Sequence, residues 1–191
     1  MIGMLPKTLL VGGVKQPIDS DYRTALKVFV ACDDVELLDS EKMEVMLKLI
    51  YNDFESIGPN DYQEAIEQAV WFLDGGSILD KAKEQQKKVI DWEQDENYIF
   101  SAINKVANNE VRAVDYMHLW TFLGYFCEMG EGMLQNILNI RIKKNKGKPL
   151  DKAEQEFYRD NQELIDIREK YTEEEEKERD RLREILGIKG E

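Results

Sequence analysis

The sequence predicts a mainly α fold. A helical domain over residues 1–170 opens on a small N-terminal β-hairpin (residues 5–18), and a charged, largely solvated helical extension follows over residues 171–191. Three observations carry this. Apolar residues recur at i, i+3, i+4 spacing through most of the chain, the signature of helices with one buried stripe. One glycine pair, Gly12-Gly13, sits between two short β-prone runs. Between Tyr171 and Leu182 no residue is apolar, so that stretch has no stripe to bury.

The elements follow in order. "TLLV" and "VKQPI" flank Gly12-Gly13, and a Gly-Gly pair accepts the two positive φ angles of a type I′ turn. Pro17 keeps the second strand at an edge. Tyr22, Ala25, Leu26, Phe29 and Val30 then mark a first helix with Ser20 as its N-cap. Met43, Met46, Leu47 and Ile50 mark a second. "SIGPND" breaks the pattern, and Asn60 with Gln63 reads as a capping box for a third helix bearing Tyr62, Ile66, Ala69, Val70 and Leu73. Gly75-Gly76 ends it. Residues 77–92 are polar and read as a connection. "DENYIFSAINKVANNE" is a fourth helix with acidic residues in its first turn. Asp115 is expected to cap a fifth across "VDYMHLWTFLGYF". Met133, Leu134, Ile137, Leu138 and Ile140 mark a sixth. Asp151 with Glu154 caps a seventh, bearing Phe157, Leu164 and Ile167. Thr172 with Glu175 opens the extension, where Glu173–Lys177 and Glu175–Arg179 are favourable i,i+4 pairs.

Composition narrows the function. The charged fraction is 34% and the net charge is −13, so the chain repels phosphate backbones and free nucleic acid is not an expected partner. Its two cysteines, Cys32 and Cys127, stand far apart in apolar contexts and read as buried and reduced, as in a cytosolic protein. One histidine and no C-x-x-C pair leave no zinc set. The N-terminus lacks a basic n-region and a continuous apolar core, so it does not read as a signal peptide. No run approaches the roughly 18 apolar residues of a membrane span.

The candidate sites are few. His118 has Thr121 at i+3, whereas Cys127 lies about 14 Å away along a helix axis. There is no G-x-S-x-G frame, so His118 reads as a packing or hydrogen-bonded residue rather than a base. Asp91–Glu96 fails the calcium-loop pattern, because the sixth and twelfth positions hold Glu96 and Ala102. It reads as the acidic first turn of a helix. "VGGVKQ" lacks the phosphate-loop frame. The basic run Arg141–Lys148 reads as a solvated turn or as counter-charge to the acidic tail. The aromatic stretch around His118 carries the most weight. Tyr116, Leu119, Trp120, Leu123 and Cys127 lie on one helical face, and Phe122, Tyr125, Phe126 and Met129 on another. A helix apolar nearly all round is either central in its own domain or covered by another chain, and both readings stay open here.

The succession "LPKTLLVGGVKQPIDSDYR", "EAIEQAVWFLDGG", "DENYIFSAINKVANNEVRAVDYMHLWTFLGYFCEM", "ILNIRI" and "KAEQEFYRDNQEL" resembles the bacteriophage Gp-fifteen family over roughly residues 5–170. Asp21-Tyr22-Arg23, Trp71-Phe72, Asp95 to Tyr98 and His118-Leu119-Trp120 occur in the family's order. Segment 77–91 follows the likeness more loosely, and the tail after Tyr171 departs from it. The resemblance implies a tail-module protein of long-tailed phages and prophages, with no catalytic residues and no cofactor. It implies a tail assembly chaperone, working in the host bacterial cytoplasm, that keeps the tape-measure protein soluble until the tail tube protein polymerises around it. Homo-oligomer formation is open. The expected contact residues are Trp71, Phe72, Trp120, Phe122, Tyr125 and Phe126. The alternatives are a structural or connector protein of the tail and, from another class, a carboxylate-based hydrolase.

Overall fold

The computed structural model describes residues 3–77, 87–175, 177, 178 and 181. Strands β1 (Thr8–Val11) and β2 (Val14–Pro17) pair antiparallel, Leu9 opposite Gln16 and Val11 opposite Val14. Gly12 and Gly13 turn between them at φ +57° and +76°, as a type I′ turn requires. Leu9 and Val11 are buried and β1 packs on α3, so the marginal hairpin gains a hydrophobic face.

The helices α1 (Tyr22–Cys32), α2 (Asp39–Ile50), α3 (Tyr62–Leu73), α4 (Glu96–Ala107), α5 (Leu119–Cys127), α6 (Met133–Asn145), α7 (Lys152–Asp160) and α8 (Gln162–Ile165) follow, and the described residues of the tail from Glu173 on are helical as well. The fold is therefore mainly α with a small N-terminal hairpin, as the periodicity predicts. The main core joins the hairpin to α1–α5 and the start of α6. At its centre Tyr22 stacks on Phe122, with ring centroids 4.4 Å apart and planes within 5°. Phe100 meets Tyr22 edge-on at 6.2 Å. A smaller cluster of Ile137, Ile140 and Ile165 seats α8 on α6.

Several local expectations are corrected. Asp21, not Ser20, caps α1 by accepting the Arg23 N–H, while the Ser20 hydroxyl bonds the Tyr116 hydroxyl at 2.8 Å. The Asn60–Gln63 box does not form: Pro59–Asp61 is a 3-10 turn and α3 starts at Tyr62 with no side-chain cap. The buried stripe of α3 is Ala65, Ala69, Phe72 and Leu73, and Val70 is exposed. The seventh helix breaks at Asn161, whose side chain turns back to the Phe157 carbonyl, although its Asp151–Glu154 capping box is formed.

The fifth helix starts at Leu119, not near Asp115. Residues 117–119 spend their backbone groups on the 20–22 segment instead. The Met117 carbonyl accepts the Tyr22 N–H at 3.0 Å, and the Leu119 N–H donates to Ser20 O at 2.8 Å. Both cysteines are exposed, against expectation. Each sits in the last turn of its helix, where the chain turns away from the core. Of the tail, the Thr172–Glu175 box and the Glu173–Lys177 pair form. Arg179 and the 78–86 part of the polar connection lie outside the described residues.

Candidate functional site

α1 lays its Tyr22, Leu26 and Val30 stripe, spaced i, i+4, i+8, beside Ile99 and Phe100 of α4. Between them lies an open groove of about 690 Å³, with Trp92 at one wall. Arg23, Lys27 and Arg112 stand along it, as do Asp34, Glu93 and Glu96. The cations near Tyr22 are held in place. Arg23 pairs with Asp21 at 3.1 Å, with its guanidinium 4.7 Å from the Tyr22 ring centroid. Arg112 pairs with Glu110 at 2.8 Å, 5.1 Å from the Phe100 centroid. A floor of aliphatic and aromatic side chains with charged edges suits the apolar face of an amphipathic helix.

The wall at Trp92 is built from polar groups beneath it. The Asp91 carboxylate accepts the Glu93 and Gln94 N–H groups at 3.1 and 2.8 Å and the Lys88 ammonium at 2.8 Å. Burial pushes its pKa up, but those donors outweigh burial and hold it at about 2. The Asp91 N–H donates to Asp95, and Asp95 is gripped at both oxygens by the buried Arg141 guanidinium, at 2.5 and 2.9 Å. Arg141 also donates to the carbonyls of Val89, Leu164 and Ile165. One fixed fork therefore ties the Trp92 loop, α4, α6 and α8 together.

None of the six expected contact residues lines this groove. Phe72 and Phe122 are fully buried in the main core, so their assignment to a partner surface is corrected. Trp71, Trp120, Tyr125 and Phe126 are half-buried and pack on that core. Trp120 donates its indole N–H to Phe72 O at 2.8 Å and meets Trp71 edge-on at 5.3 Å. It also closes over Gly76, where a Cβ would stand 2.7 Å from the ring. Phe122 backs the groove from the core side, stacked on Tyr22, and Phe126 lies 5.8 Å from the Trp92 ring, which in turn stacks on Phe29 at 5.2 Å.

Trp92 and the α1–α4 seam are what sequence reasoning missed. The available signal was Val89, Ile90 and Trp92 inside a stretch read as polar connection. Arg141 belongs to the core rather than to a solvated basic turn. Among the described residues its neighbours Lys143 and Lys144 pair with Glu154 and Asp166.

His118 is buried and serves as the N-cap of α5. Its Nδ1 accepts the Trp120 N–H at 3.0 Å, and its Nε2 bonds the Pro6 carbonyl at 2.8 Å, which sets the Nε2–H tautomer. Burial, with a contribution from Lys7, lowers its pKa. The ring thus has both nitrogens engaged in structure, as expected of a hydrogen-bonded residue. Among the described residues, no cluster of three or more His, Cys, Asp or Glu could hold a metal ion, and no helix is long and apolar enough to cross a membrane.

No curated protein and no solved structure matches the chain. A family model does: the one described as Bacteriophage Gp15 protein matches residues 1–167, which includes every residue that lines the α1–α4 groove, and the chain belongs to that family.

Proposed function

We propose that this phage protein is a tail assembly chaperone that acts in the host cytoplasm and holds an amphipathic helix of the tape-measure protein in the α1–α4 groove. The observation that carries this reading is the groove itself: Leu26, Val30 and Trp92 stay only partly covered along a seam about three turns of helix long. Apolar surface of this kind is the usual receptor for a helix with i, i+3, i+4, i+7 anchors. A net charge of −13 keeps such a complex apart from its copies. Tube protein is a second candidate partner, because it meets the tape measure during assembly.

Co-expression tests it. Wild-type protein is expected to bring tape-measure protein into the soluble fraction and to co-elute with it. Leu26→Asp, at a half-buried groove position, is expected to keep the helical circular dichroism spectrum and lose the complex. The reading fails if tape measure stays insoluble with wild type, or if Leu26→Asp works equally well. Recovery of the protein in purified tails would favour a retained connector.

A further inference from the structure

The groove does not end at Val30. A second depression of about 460 Å³ shares Val30, Asp34 and Glu93 with it and continues past the end of α1. Its outer wall is the segment Arg168–Tyr171, just beyond the 1–167 family match. Described contacts hold that segment in place. The Arg168 N–H donates to the Gln94 side chain at 3.0 Å, Lys170 pairs with Glu93 at 2.6 Å, and the Glu173 N–H reaches Glu36. Each anchor lies on the Trp92 loop or the α1–α2 turn, so the segment is fixed to the two walls that the groove already has.

The charge at this end is lopsided. Glu93 and Lys170 neutralise each other, which leaves Asp34, Glu36 and Glu169 facing it against Arg168. From Tyr22 to Cys32 the α1 wall runs about 15 Å at helical rise, and the second depression carries the surface beyond it.

Building on the groove reading, we propose that residues 168–171 extend the binding surface and select its occupant: an amphipathic helix long enough to reach Tyr171, carrying Lys or Arg beside its apolar stripe at that end. Tyr171 supplies the added apolar wall and Asp34 with Glu36 the complement for the basic flank. A helix too short to reach them gains nothing from the segment.

The test uses the full chain and labelled synthetic amphipathic peptides in fluorescence anisotropy. A peptide of about 18 residues spans roughly 27 Å as a helix and one of about 11 residues roughly 16 Å. The long peptide is made with Lys or with Glu flanking one end of the stripe. The Lys form is expected to bind about tenfold tighter than the Glu form, a gap that a desolvated charge pair can supply. Tyr171→Ala is expected to weaken the long Lys peptide severalfold and leave the short one unchanged, and Tyr171→Phe to behave as wild type. Equal weakening of both lengths, or of neither, overturns the proposal. So does tighter binding by Tyr171→Ala, which would make the segment a competitor rather than a wall. Self-association of the full chain that Tyr171→Ala abolishes would give the face to a second copy, and also overturns it. Leu26→Asp separates this from the parent reading: if both peptides bind that variant as tightly as wild type, the groove itself is not the site.

Discussion

Arg141 concentrates more structure than any other polar residue described. It pairs with Asp95 at 4% and 0% side-chain exposure and satisfies three carbonyls from two further segments. Removing one partner of a buried pair strands the other charge and costs about 3–5 kcal/mol. Arg141→Met and Asp95→Leu are each expected to lose that much in urea unfolding. Apolar replacement of both partners is often neutral. Here the double variant is expected to stay well below wild type, because the carbonyls of Val89, Leu164 and Ile165 lose their donor. Recovery to wild-type stability would show that the carbonyls find other partners. His118 sets a second prediction, on pH. Burial lowers its pKa in the folded protein relative to the ordinary value near 6.5, so the unfolded chain takes up a proton more readily. Its stabilising contribution is complete above the unfolded pKa. It falls as pH drops from about 6.5 toward the folded pKa and levels off below that. The His118→Asn variant keeps a side-chain acceptor for the Trp120 N–H without titrating. Thermal melts between about pH 5 and 8 are expected to slope in wild type and to be flatter in His118→Asn; parallel curves would rule out His118 as the source.

At the level of elements, the aspartate caps of α1 and α7 differ in what depends on them. Asp151 closes an exposed capping box on α7, and its loss should cost about 1 kcal/mol. Asp21 caps α1 but also accepts the Met117 N–H at 3.1 Å and, at both carboxylate oxygens, the Arg23 Nη1 group. Asp21→Ala is therefore expected to destabilise clearly more than Asp151→Ala in denaturant titrations; equal losses would reduce Asp21 to an ordinary cap. The same pair shows what could be read from the sequence. Asp151–Glu154 is a contact between neighbours in the chain, so spacing alone revealed it. So was the Gly12-Gly13 turn, because the φ requirement is local. The late start of α5 was not legible, since residues 117–119 answer to a segment about a hundred residues earlier and that pairing overrides the local helical pattern. The groove escaped for the same reason. Its floor joins Leu26 and Val30 to Phe100, on helices no periodicity relates, and its Trp92 wall lies on no helix at all. The aromatic helix drew attention instead because a stripe that wraps the whole helix looks like surplus. Phe122 and Leu119 are core, and Trp120, Tyr125 and Phe126 are its half-buried edge.

Across the whole molecule, 39 acidic residues stand against 26 basic ones. Two electrostatic effects oppose each other in such a chain. Surface pairs such as Lys48–Glu44, Arg112–Glu110 and Lys177–Glu173 are attractive, but their side chains are half-exposed or more, so water and salt screen them and they add little. The excess negative charge repels itself at longer range and disfavours the compact state. Salt weakens both, yet unequally. Between about 0.01 M and 0.15 M ionic strength the Debye length falls from about 30 Å to about 8 Å. That removes repulsion acting across the molecule while leaving pairs in contact, and the buried Asp95–Arg141 pair, much less affected. The melting temperature is therefore expected to rise with sodium chloride over this range. Glu55→Gln with Glu128→Gln, two exposed carboxylates, one in the 3-10 turn Phe54–Ser56 and one at the end of α5, should make the rise shallower by lowering the charge that salt screens. A melting temperature that falls with salt would mean that the surface pairs outweigh the repulsion, and an unchanged slope in the double variant would place its origin elsewhere.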